Sequence, residues 1–143
     1  MTPELREKML RSINTHEPYS QHNHLEICDV GPGTSRIELE IVTESLNRWG
    51  RPHGGVLFSL ADDACGVAMT GLRQESCVTV SSNMEYIASA GDAGHLIARG
   101  RVVHAGRRTC FCQAEITTSE GKLIAVCNSV WAYTGKPLDF DRE

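Results

Sequence analysis

The apolar run from Val56 to Leu72 constrains the fold most, because two adjacent carboxylates, Asp62 and Asp63, stand at its centre. A stretch this long and apolar is either a membrane span or a helix enclosed by a globular domain. Each aspartate near a bilayer midplane would cost roughly 2.5–3.5 kcal/mol on insertion scales, so the enclosed helix is the expected form. The chain has 143 residues, 41% of them hydrophobic, which is enough for one well-cored domain over 1–143. At 100° per residue, Leu57, Leu60, Ala61, Ala64, Ala68 and Leu72 share one stripe of a helix over about 54–72. That stripe is predicted to face a sheet, and only a strongly curved sheet covers most sides of such a helix.

The flanking sequence supplies the strands. Ile37, Leu39 and Ile41 alternate with Arg36, Glu38 and Glu40, the period-two pattern of a half-buried strand. Strands are expected over His24–Val30 and Thr34–Val42, joined by the turn Gly31-Pro32-Gly33. Four more follow the helix: Cys77–Ile87, His95–Ala105, Arg108–Thr118 and Lys122–Tyr133, the last three as an antiparallel meander. Thr2-Pro3 opens a short amphipathic helix over about 3–14, with Leu5, Met9, Leu10 and Ile13 on one face. His16 to Asn23 reads as a loop, and the charged tail from Gly135 as frayed. The resulting class is α+β, one long helix wrapped by a curved, mainly antiparallel sheet of five to six strands.

The helix start and its interior differ in chemistry. Pro52 and the pair Gly54-Gly55 place bare backbone N–H groups at the head of the helix, where they and the helix dipole can hold an oxyanion. Asp62 falls beside Phe58, Cys65 and Met69, an apolar flank, whereas Asp63 falls beside Ser59, Gly66 and Thr70. A carboxylate on an apolar flank is a poorly solvated, reactive anion, so Asp62 is the preferred candidate of the two. The pairing of amide donors with such an anion suits acyl transfer. Gly54 and Asp62 are about 12 Å apart along one helix, too far to serve one carbonyl together. The expected solution is a dimer in which the helix start of one protomer meets Asp62 of the other.

Taken together, Asn47, His53-Gly54-Gly55 and Leu60-Ala61-Asp62, continued by Val78-Thr79-Val80-Ser81-Ser82-Asn83-Met84-Glu85-Tyr86, resemble the hotdog-fold acyl-CoA thioesterases of the phenylacetate-pathway (PaaI-like) family. The likeness covers about residues 25–133. It implies a hotdog homodimer, often doubled to a homotetramer, that hydrolyses an aryl- or fatty-acyl-CoA thioester to free acid and CoA. By position, Asp62 would be nucleophile or general base, Gly54 N–H the oxyanion donor, and Asn47 and His53 positioning groups. Thr79 would hold the attacking water. Gly55, Trp49 and Phe58 would meet substrate, with Trp49 narrowing the acyl pocket, and Arg107 with Arg108 would meet the CoA phosphates. Arg51-Pro52 and Trp49 depart from the family pattern and bear on acyl specificity.

Other classes are disfavoured. A net charge of −4 provides no basic stripe for nucleic acid. The residues Met1 to Lys8 lack an apolar leader, and the six cysteines are expected reduced, in a cytoplasmic protein without membrane contact. His22-x-His24 lacks a third ligand at metal spacing, and Cys110-x-Cys112 reads as structural, so no metal and no cofactor beyond the CoA moiety of the substrate is expected. No Gly-x-Ser-x-Gly elbow is present. The rival class is a non-catalytic acyl-CoA binding or sensing protein on the same fold, and the mid-helix anion argues against it. A hydratase is disfavoured by the lack of its acid–base loop.

Overall fold

The computed structural model describes residues 1–141. Thr2 caps helix α1 (Pro3–His16) by accepting from Leu5 N–H, and Met9 is its buried anchor. Asn14 fixes α1 to the sheet by bonding both the N–H and the carbonyl of Ile27, at 2.9 Å each. The expected loop over His16–Asn23 instead holds a helix. Pro18 sits at the first helical position, where its missing N–H and fixed φ are tolerated, and starts the short α2 (Pro18–His22).

Six strands form one antiparallel sheet: β1 (Leu25–Gly31), β2 (Thr34–Glu40), β3 (Glu75–Tyr86), β4 (His95–Ala105), β5 (Thr109–Thr118) and β6 (Leu123–Pro137). Their order is β1-β2-β4-β5-β6-β3, so β4, β5 and β6 form the expected meander and β3 lies at an edge. The second strand stops at Glu40, before a 3-10 turn at Thr43–Ser45. Helix α3 (Gly54–Arg73) connects β2 to β3 and lies against the sheet. Leu60, Ala61, Ala64 and Ala68 of the predicted stripe have no exposed surface. Contact is close at Gly100 on β4, where any Cβ would stand 2.2 Å from the Ala64 carbonyl. Ser35 on β2 donates to that same carbonyl at 2.6 Å. Although α3 is long and apolar enough to cross a membrane, its burial makes it the core of this domain.

From Gly135 to Asp141 the tail is ordered rather than frayed, and Arg142 and Glu143 lie outside the described residues. β6 continues to Pro137, Gly135 N–H donates to Glu75, Leu138 N–H donates to the Gln74 carbonyl, and Asp141 pairs with Lys8 at 2.7 Å. Phe140 packs against the core. The tail composition suggested solvation, but pairing with β3 and α1 supplies partners that composition does not reveal.

Candidate active site

The chain approaching α3 is shaped around Asn47. Its Oδ1 accepts from the N–H groups of Trp49 (3.0 Å) and Arg51 (3.1 Å), and its own N–H donates to the Arg51 carbonyl at 2.7 Å. Gly50, at φ +71°, closes the ring, and Arg51 ties it to the carbonyl of Gly91 and the carboxylate of Asp92. Trp49 is 74% exposed at the loop tip with the Arg48 guanidinium over its ring, so within this protomer it does not narrow a pocket.

His53 is the N-cap of α3. Its Nδ1 accepts from Gly55 N–H at 2.9 Å, which leaves the ring proton on Nε2. The Gly55 amide is therefore already occupied. Among the described residues, Gly54 N–H has no acceptor, which makes it the available donor at the helix head. The Gly54 carbonyl accepts from the Tyr86 hydroxyl at 2.9 Å, a support that the sequence reading did not identify.

Two turns further along, Thr79 Oγ1 donates to Asp62, at 3.0 Å to Oδ1 and 3.3 Å to Oδ2. Thr79 thus touches the carboxylate itself. Seven residues separate Thr79 and Tyr86, so on a regular strand they would face opposite sides. A bulge between Thr79 and Ser81 reverses the alternation and lets both reach α3. Burial raises the Asp62 pKa, and the Thr79 bond partly offsets this.

Asp63 lies on the small, polar flank with Gly66 and Thr70, and that flank is covered. Ser20 of α2 donates to Asp63 Oδ2 at 2.6 Å, and burial pushes the carboxyl up to about 6 despite that bond, with Glu17 and Asp62 adding to the rise. The cause is the packing of α1 and α2 over this side of α3, which helical periodicity cannot show. Both aspartates line one cavity of about 330 Å³ between α3, the N-terminal helices and the tail. Phe58 is 36% exposed, one turn before Asp62. Arg107 and Arg108 are exposed on the β4–β5 turn at the far end of α3, where Arg73 holds the carbonyls of Gly106 and Arg107. The structure therefore gathers Asp62 with Thr79 and, separately, Asn47, His53 and Gly54. It does not bring the two groups together within one protomer.

The family profile described as the thioesterase superfamily matches residues 50–125. The chain belongs to the thioesterase superfamily. The match begins just before the His53-Gly54-Gly55 cap and includes Asp62 and Thr79, so thioester hydrolysis is supported at the level of the family. The E. coli PaaI protein of the phenylacetic acid degradation operon shares the hotdog fold: TM-score 0.85 at 23% identity, over 94% of this chain and 99% of that one. A Streptococcus pneumoniae thioesterase protein solved with coenzyme A is 31% identical with a TM-score of 0.74, covering 79% of this chain and 90% of its own. An esterase-named protein of Archaeoglobus fulgidus is 29% identical over 100 residues, which span 70% of this chain and 64% of that relative. Helices α1 and α2 and the tail lie outside the superfamily match, yet they build one side of the cavity beside Asp62.

Proposed function

We propose that the protein hydrolyses acyl-CoA thioesters at a site shared by two protomers. Asp62, oriented by Thr79, acts as nucleophile or as general base toward water. The Gly54 N–H and dipole of the partner's helix stabilise the oxyanion that forms as the carbonyl is attacked, and collapse of the intermediate expels the CoA thiolate. The observation that carries this reading is the placement of a raised-pKa carboxylate and an unoccupied helix-head amide on one helix, about 12 Å apart. An edge strand supports the dimer: β3 exposes Val78 and Val80 at 51% and 59%, an apolar edge suited to pairing with a second copy. His53 and Asn47 shape the helix head, and Arg107 and Arg108 provide positive charge for CoA phosphates. The coenzyme A in the Streptococcus pneumoniae relative supports the choice of thioester. Six free cysteines support a cytoplasmic setting.

The deciding experiment mixes two inactive variants, Asp62→Asn and Gly54→Pro, under conditions where subunit exchange is confirmed. Each heterodimer should recover one working site. Absence of recovery rules out sharing. Single-turnover hydrolysis in oxygen-18 water tests the nucleophilic role: acid released without label has taken its new oxygen from Asp62, through a mixed anhydride that water opens at the Asp62 carbonyl.

A further inference from the structure

Building on the reading of Asp62 above, we propose that the cavity beside it is the acyl chamber. Within it, Asp63, held by Ser20, selects acyl groups whose far end donates a hydrogen bond, an amino or hydroxyl group, over those ending in a methyl or a carboxylate. The cavity, about 330 Å³, falls in the size range of small-molecule pockets. It is continuous with the reacting carboxylate, since Asp62 and Asp63 both line it. Their Cα atoms are about 3.8 Å apart and their side chains diverge by about 100°. A thioester held at Asp62 therefore extends its acyl chain past Asp63 within a few bonds.

The chamber walls are mixed. Trp131 and Phe140 supply apolar surface for the body of an acyl chain. Among the described residues the ionisable lining beside the acids is acidic, Asp62, Asp63 and Glu17 with the imidazole of His16. A terminal carboxylate would meet like charge, and a terminal methyl would leave Oδ1 of the half-buried Asp63 without a donor. Ser20 bonds only Oδ2 of Asp63, and a carboxylate accepts several bonds, so Oδ1 remains an acceptor for substrate. Burial raises the Asp63 pKa but leaves the carboxylate ionised at neutral pH, poorly solvated and correspondingly responsive to a donor. Sites built to bond a polar substrate group discriminate strongly against analogues that lack it.

The test uses the full chain and four substrates of one length: hexanoyl-CoA, 6-hydroxyhexanoyl-CoA, 6-aminohexanoyl-CoA and adipoyl-CoA. In the wild type, kcat/KM should favour the hydroxy or amino substrate over hexanoyl by roughly tenfold or more, with adipoyl lowest. Which of the two donors ranks first identifies the end group. In Asp63→Asn the ranking of adipoyl against hexanoyl should compress by roughly tenfold as the charge is lost. Ser20→Ala, which keeps the carboxylate, should retain the preference. Affinities of the matching S-alkyl-CoA thioethers, which cannot be hydrolysed, separate this proposal from the hydrolase reading. Donor preference in binding without any turnover supports the chamber and refutes hydrolysis. Turnover with equal rates across the series, or an adipoyl preference, overturns the selection by Asp63.

Discussion

The two ends of the proposed chemistry, both carried by α3, are organised in opposite ways. The turn into the helix is shaped by its own neighbourhood, Asn47 ringing the loop through residues two and four positions away and His53 capping the amide of Gly55, with Tyr86 and Asp92 bracing it from outside. The middle of the helix is built by distant segments. Asp62 takes its partner from Thr79, 17 residues on, and Asp63 takes its partner from Ser20, 43 residues back. A short motif can therefore set the turn that leaves the Gly54 N–H without an acceptor, whereas the environment of the carboxylates depends on the whole domain being folded. Local geometry shapes the helix head, and tertiary packing sets the surroundings of the two acids.

Substitutions at each end sharpen that contrast. Asp62→Asn keeps the shape and removes the anion, so hydrolysis should fall by roughly a thousandfold or more while thioether-CoA binding persists. Near-normal turnover in that variant removes Asp62 from the mechanism. Gly54→Pro deletes one N–H at the first helical position, where proline is tolerated, and should lower kcat by about two to three decades. Gly54→Ala retains the N–H, and its added Cβ would meet Tyr86 at 3.4 Å, an ordinary contact, so it should lose far less. If proline and alanine behave alike, the amide is not the donor.

Two stability measurements probe the same division. The folded Asp63 pKa, raised to about 6, lies above the ordinary value of 3.8, so its contribution is most favourable below pH 4 and is lost as pH rises through 6. Asp63→Asn should reduce that slope to the part due to Asp62 and raise stability at pH 7, by up to about 3 kcal/mol, in denaturant titrations at a series of pH values. A wild-type curve that is flat between pH 4 and 6 contradicts the burial assigned to this carboxyl. The smallest effect belongs to the helix head: His53→Ala removes an N-cap and should cost about 1 kcal/mol, read as a drop of a few degrees in Tm.

The same division explains what the sequence made legible. Periodicity from Val56 to Leu72 located α3 to within one residue of its end, because the apolar stripe and the proline–glycine entry are local signals. The meander was legible from alternation and its turns. Strand ends were less so: β6 runs to Pro137 because it pairs with Glu75, a partner outside its own pattern. The cover over Asp63 was not legible because helical geometry supplies angles but not the identity of what packs against each side. Tyr86 and the β3 bulge went unread for a related reason. Bulges follow from pairing, and the stretch Thr79-Val80-Ser81 contains no glycine to mark one.

The clearance-free contact of Gly100 and Ser35 with the Ala64 carbonyl has a consequence for timing. That carbonyl lies one residue beyond Asp63 and two beyond Asp62, so the turn bearing both acids is clamped to the middle of the sheet. Amide protons of this turn should exchange with solvent only when the entire domain opens, far more slowly than those of the loop around Asn47. The acids would then keep their station through every local fluctuation, while the helix head remains free to adjust around an arriving ester.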